Sequence, residues 1–349
     1  MGIVKDKMMI LRIIIFLFFS IFSIAKPPKL EKGALNNPPP RIIRTCCSFG
    51  VDVKLAVFSF VKFTETTGLD KIGPHKYLGN KEEQNGIIYT QHGGFIDLGH
   101  LRDMADFTGY LFSIIQSKKG QPNFSIKMGV EGGMKTLNLF IPEDISDGDA
   151  VQLAGKIAYD ISVWHEISTW FGASFIPMVP ERYSSFSVED AYSNLLGVHL
   201  GMKALQSDLE FEEAMTSSIN ETLKNFGAVE DTKATNDAMN EVKDIWWSGT
   251  AKLPSRKVLI KRLFKVYDCI FPLLISNENI EIGKENQLCV PENASIGKSL
   301  NDYYSFSIKS NFKIPIKKIY GENQKGKTLT QLDFPTLIAY AEQAAHQKQ

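Results

Sequence analysis

The stretch from Asp149 to Gly172 constrains this chain most. Val151, Ala154, Ala158 and Ile161 recur at helical spacing, so one face of a long helix must be covered by other elements. Continued by the same spacing, that face reaches His165 and Ser168. A polar side chain carried inside needs a partner, because a buried donor or acceptor left unpaired costs about 1–3 kcal/mol. A fold built around this helix must therefore supply both apolar cover and polar company.

Two more helices are expected to provide it. One starts at Asp97, a suitable N-cap, and runs to about Gln116. The other starts at Ser187, where Ser187 and Asp190 have capping-box spacing, and runs past Gly201. Further helices are expected over about 208–226, 231–247 and 334–346, with Trp246-Trp247 closing the second of these. Strands are expected over 51–63 and 87–90, in a hairpin spanning 124–141 with its turn at Glu131-Gly132-Gly133, and as two short runs within 302–320 around Pro315. This order gives an α+β class, with central helices carrying a polar site and small antiparallel sheets or hairpins beside them. With 44% hydrophobic and 22% charged residues, disorder throughout and collagen-like repeats are excluded. The 39 basic and 39 acidic side chains cancel, which leaves no global electrostatic footprint for nucleic acid.

The N-terminus reads as an export signal. Lys5, Lys7 and Arg12 precede an apolar run, broken only by serine, from Ile13 to Ile24. Ser23 and Ala25 place small residues where a signal peptidase cleaves, and Pro27-Pro28 follow. The run is short of the ~20 residues that span a bilayer. Residues 1–25 are thus expected to be a cleaved signal, 26–44 a proline-rich extended lead-in, 45–205 the α+β domain, and 206–349 a helical extension with short C-terminal strands packed on the same core. The chain is expected in the periplasm or secreted, with no transmembrane helix once the signal is removed. An uncleaved N-terminal anchor is the other arrangement of the same segment. Cys46, Cys47, Cys269 and Cys289 make an even count that permits disulfides, with Cys269–Cys289 one available pairing. No CxxC spacing is present.

Three segments carry candidate chemistry. His100 and Asp103 are three apart on one helical face, with Asp106 a turn further on and Arg102 between them. His165-Glu166 begins the zinc-protease pattern, but Thr169 stands where its second histidine would be. Asp190 and Asn194 share a face of the third helix, with Tyr192 between. Solvated helix faces, a satisfied core histidine and an N-cap account for the same residues one by one. Together they put polar pairs on three successive helices.

These segments, with Arg44 to Gly50, Ile72 to His75 and Asn85 to Thr90, resemble an uncharacterised exported bacterial family, the domain of unknown function DUF4056, over roughly residues 41–205. The resemblance places His100, Arg102, Asp103, Asp106, His165, Glu166, Thr169, Glu189, Asp190, Tyr192, Ser193 and Asn194 on family motifs. It implies a shared site and brings no activity with it.

Two functions fit. In a metal-dependent hydrolase of the cell envelope, His100, His165 and one carboxylate, Asp103 or Asp190, would hold a divalent metal such as zinc. Glu166 would act as base and Arg102 would steady an anionic group, with Asp106, Thr169, Tyr192 and Asn194 in support. A metal-free variant uses Ser168, Ser187 or Ser193 as nucleophile, although no GxSxG elbow is present. In a non-catalytic envelope protein, the same residues form a buried hydrogen-bond network. The substrate, a small molecule or an envelope polymer, has no signature in the sequence, and neither has the oligomeric state.

Overall fold

A computed structural model describes residues 25–31, 33–39, 44, 48–55, 63–174, 181–276, 281–311, 313–324 and 326–347. All but the last residue of the expected export signal, Cys46, Cys47 and most of the strand expected over 51–63 lie outside these residues.

The fold is α+β. A short hairpin, β1 (Ile87–Thr90) and β2 (Gly94–Asp97), leads directly into helix α1 (Leu98–Ser117). The junction is fixed by Asp97, whose Oδ1 accepts from the amides of Gly99 at 2.7 Å and His100 at 3.1 Å. These are two of the donors that every helix start leaves unpaired. The hairpin β3 (Phe124–Val130) and β4 (Gly133–Leu139) follows, then helix α2 (Asp147–Trp170). Ser146 caps α2, and Gly172 ends it with φ of +95°, a backbone state that suits glycine. Helix α3 (Asp190–Leu205) completes the central trio, and α4 (Phe211–Asn225) and α5 (Thr232–Glu241) follow.

Helix α1 is the buried axis of the molecule. Seventeen of its twenty residues are buried, including Leu101, Met104, Leu111 and Ile115. Helix α3 crosses it closely because α3 carries glycines at the contact. A Cβ on Gly197 would lie 2.0 Å from the carbonyl oxygen of Leu101, and one on Gly201 3.0 Å from Cα of Ala105. Small residues thus bring the two backbones together, and the acidic start of α3 arrives beside the start of α1.

The C-terminal half adds small strands and cover. Two-residue strands β5 (Cys269–Ile270) and β8 (Leu288–Cys289) pair antiparallel and are tied by a Cys269–Cys289 disulfide. Strands β6 (Leu273–Leu274) and β7 (Glu281–Ile282) form a second short ladder. Strand β9 (Tyr304–Ser310) joins the β3–β4 hairpin, and β10 (Thr328–Leu329) extends it to an antiparallel sheet of order β10-β9-β4-β3. Helix α6 (Ile316–Tyr320) lies between β9 and β10, and helix α7 (Phe334–His346) closes the chain. The main apolar core draws on residues from Ile88 to Ala341, so it is shared by both halves of the sequence. A second, aromatic cluster gathers Phe49, Phe95, Trp246 and Trp247.

Three local expectations are corrected. The segment after Pro315 is helical rather than a second strand; proline starts α6, where its missing N–H costs nothing. Helix α5 stops at Glu241, so Trp246 and Trp247 lie beyond it, 1% and 2% exposed, where a non-helical turn lets both indoles enter the aromatic cluster. Ser187 does not cap α3: its hydroxyl donates to Glu189 Oε2 instead, and the helix begins at Asp190.

Candidate functional site

The polar residues of the three central helices separate into two neighbouring groups. The first surrounds Arg44. Its guanidinium donates through Nε to Glu83 Oε2 at 2.6 Å, and through one terminal nitrogen to Asp103 Oδ1 at 3.0 Å and Asp106 Oδ2 at 2.8 Å. The other terminal nitrogen reaches Glu83 Oε1 at 3.1 Å and the carbonyl of Lys76. His75 Nε2 lies 3.0 Å from Asp106 Oδ1. Arg102 donates to the carbonyl of Gly73 at 2.9 Å, and its other terminal nitrogen stands 3.3 Å from Glu83 Oε1. Burial pushes the Arg44 guanidinium down, but Asp106, Asp103 and Glu83 outweigh it and hold the pKa above the ordinary arginine value. Burial also pushes Asp106 up, yet His75 and Arg44 bring it below the usual carboxylate range. For Asp103 burial prevails, with Asp106 adding to it, and its pKa rises to about 6.

The second group surrounds His100, on the first turn of α1. One ligand atom each from His100, Glu166 and Asp190 lies within 4.8 Å of the others, and all three residues are buried. They come from α1, α2 and α3 in turn. Among the described residues this is the one set of three or more His, Cys, Asp or Glu side chains close enough together to hold a metal ion. Tetrahedral zinc, with bonds of about 2.0–2.1 Å, sets its ligands about 3.4 Å apart, so small side-chain movements would close the set. His100 Nδ1 stands 3.0 Å from Asp97 Oδ2 and 3.8 Å from Asp190 Oδ1. Asp97 therefore does two jobs: one oxygen caps the helix and the other faces the imidazole. Such a carboxylate would support His100 as a metal ligand through its other ring nitrogen, Nε2.

The electrostatics of this group are unbalanced. Five carboxylates act on one imidazole: Asp97, Glu166, Glu189, Asp190 and, from the Arg44 group, Asp103. Burial pushes His100 down, but Asp97 and then Asp190 overcome it and raise its pKa to about 10. Burial raises Glu189 to about 7, with Asp97 adding to the effect. Asp190 goes well above the usual range through burial and then Glu189. Carboxyls held up in this way are short of positive charge. Near this group, Asn194 Oδ1 and, in the Arg44 group, Asp103 Oδ2 are buried oxygens without a hydrogen-bond partner among the described residues.

The sequence-derived candidates are distributed as follows. His100, Glu166 and Asp190 meet. His165 turns to the other side of α2, where Nδ1 is 2.8 Å from Glu131 Oε1 on the β3–β4 turn. Arg102, Asp103 and Asp106 belong to the Arg44 group. Thr169 donates to the carbonyl of His165 and accepts from Ser185. Tyr192 donates to the carbonyl of Asn286 at 2.7 Å. Of the serines, Ser168 donates to the carbonyl of His165, Ser187 to Glu189, and Ser193 accepts from the Asp97 amide at 2.9 Å. Glu166 Oε2 accepts from the Phe186 amide, which turns its carboxylate toward the start of α3.

Glu83, His75 and Asp97 are polar members of these groups that pattern reading passes over. For Asp97 a signal existed, since it lies three residues before His100. His75 lies on an irregular segment and Glu83 on a single 3-10 turn, Lys81–Glu83, both too short for a periodicity that marks an inward side chain.

A family model with the description "Protein of unknown function (DUF4056)" matches residues 34–276. The match takes in both polar groups and continues through α4 and α5, beyond the segment that the sequence motifs mark. No curated protein and no solved structure matches the chain.

Proposed function

As the chain belongs to DUF4056, a family of unknown function, we propose its activity from its own residues: an exported, metal-dependent hydrolase of the cell envelope whose ion is held by His100, Glu166 and Asp190. The observation that carries this reading is the convergence of those three side chains, buried, from three different helices. A surplus of carboxylate around one imidazole supports it, because a divalent cation would offset charge that the protein otherwise offsets by keeping protons. A bound ion of this kind acts as a Lewis acid and lowers the pKa of a water molecule on it to about 7. Asp97 orients His100. Glu189, with its pKa near 7, is the group we assign to accept and return a proton. In this assignment Glu166 is a ligand rather than the base. Export rests on the basic and apolar N-terminus, and a Cys269–Cys289 disulfide suits an oxidising compartment.

The Arg44 group favours the network reading for its own half of the polar residues. All five guanidinium N–H groups of Arg44 have acceptors, as a structural tie requires. The hydrolase proposal therefore claims only the His100 group.

Elemental mass spectrometry of the mature protein, purified without chelator, tests the proposal. About one divalent ion per chain is expected in the wild type and in His165→Ala, and none in His100→Ala. Absence of an ion from all three after zinc, manganese and iron are supplied would sink it. Glu189→Gln should keep the ion and lose hydrolysis of any substrate found in an ester, amide and phosphoester panel.

A further inference from the structure

A cleft of about 1160 Å³ opens beside Trp170, the last residue of α2. Six cations line it, Arg182, Lys252, Arg256, Lys257, Lys261 and Arg262, against the single carboxylate of Glu342. Among the described residues none of the six pairs with a carboxylate. The usual meaning of a basic surface is a solvated face on which long side chains splay apart. Here two guanidiniums are instead held in place near each other. Arg256 lies 4.0 Å over the Trp170 ring and donates to the Trp170 carbonyl. Arg262 lies 5.5 Å from the same ring and donates to the carbonyls of Tyr183 and Arg256, each at 3.0 Å, and to that of Ser185. Backbone carbonyls and an indole face thus fix both cations, although like charges repel. The crowding is visible in their proton affinities: burial and then Arg256 bring Arg262 down to about 10, and burial and then Arg182 lower Arg256. The Nε of Arg256 is buried without a hydrogen-bond acceptor among the described residues. A ligand reaching this cleft would meet donors already ordered, so less of its binding energy would go into fixing side chains.

We propose that this cleft binds a phosphoryl-bearing ligand carrying at least two negative charges. One carboxylate would leave most of the cations uncompensated. A phosphoryl group brings up to two charges and three acceptor oxygens, and its geometry matches the guanidinium fork. Half-buried Phe264 adds an apolar wall beside the cations. A soluble phosphate compound and the phosphomonoester headgroup of phosphatidic acid share this chemistry. The inference does not depend on an ion at His100. Arg262, however, also lies in the field of Glu166 and Asp190, so the inner end of the cleft adjoins that group.

The test uses full-length mature protein stripped of metal and dialysed free of chelator. Inorganic pyrophosphate is titrated calorimetrically. In parallel, the protein is floated with phosphatidylcholine vesicles with and without phosphatidic acid. At least one probe should bind, and more weakly as salt rises. The triple variant Lys252→Gln, Lys257→Gln, Lys261→Gln should bind it about tenfold less tightly with an unchanged thermal midpoint. Glu342→Gln, which removes the one acid, should bind it more tightly. The probe that binds identifies the source of the phosphoryl group. Failure of both probes to bind, or equal binding by wild type and triple variant, overturns the proposal.

Discussion

Replacing Arg44 with methionine tests whether the first polar group is held by charge. The side chains that would lose it are almost wholly buried: Glu83 is 0%, Asp106 1% and Asp103 5% exposed. Methionine keeps much of the length of arginine and removes all five donors. Taking one partner from a buried ion pair costs about 3–5 kcal/mol, because the remaining charge has no solvent to turn to. With three carboxylates sharing the one guanidinium, the upper end of that range is expected at pH 7. Urea denaturation followed by circular dichroism reads it as a lower midpoint at unchanged slope. The sign with pH follows from the carboxyls. Asp106 is held below its ordinary value in the folded chain, so its contribution is present above the carboxylate range and is lost as pH falls through the folded value. Asp103, raised to about 6, has the opposite sign and costs stability as pH rises through 6, and that cost grows when Arg44 is absent. Both effects make the gap between wild type and variant widest near pH 7 and narrower toward pH 4. A gap under about 1 kcal/mol, or one that stays constant from pH 7 to pH 4, would refute the reasoning and reduce Arg44 to a packing role.

Four other outcomes are expected. Gly197→Ala places a Cβ 2.0 Å from the Leu101 carbonyl, so α1 and α3 must part. A loss of about 3 kcal/mol or more is expected by denaturant titration, and a change under about 0.5 kcal/mol would contradict the close crossing. Reduction of Cys269–Cys289, which closes a 20-residue separation, should lower stability by about 3 kcal/mol in urea titrations with and without reductant. In metal-free protein, His100 should stay protonated through pH 8 by NMR titration, since its pKa is raised to about 10. The stability this gives is complete below pH 6 and is lost as pH rises toward 10. Asp97→Asn should lower that pKa by more than one unit, and an unchanged value would show that Asp97 does not face the imidazole. Glu166→Gln should weaken metal retention, measured by competition with a chromogenic chelator, whereas Thr169→Val should leave it intact.

Much of the secondary structure was legible because its signals are local. Asp97 as N-cap, the end of α2 near Gly172, and the β3–β4 hairpin each depend on neighbours within a few residues. The helical stripe through Val151, Ala154, Ala158 and Ile161 did mark a buried face, and all four residues are within 2% of full burial. The same stripe put His165 on the inside, whereas its partner Glu131 stands on a turn 34 residues earlier. Periodicity gives the angle of a side chain about its own helix axis. It gives no information about which neighbour occupies that direction.

For the same reason His100, Glu166 and Asp190 could each be singled out in the sequence, but not as a set that excludes His165 and Asp103. What sequence alone determined was the kind of element at most positions, the presence of polar residues on three central helices, and a basic N-terminus followed by an apolar run. What tertiary structure decided was their partition. Arg44, far up the chain, takes Asp103 and Asp106 into its own network. Gly197 and Gly201 let α3 approach α1 until Asp190 faces His100. Charge pairing and backbone approach act over a few ångströms of space, whatever the distance along the chain, and sequence spacing alone does not record such distances.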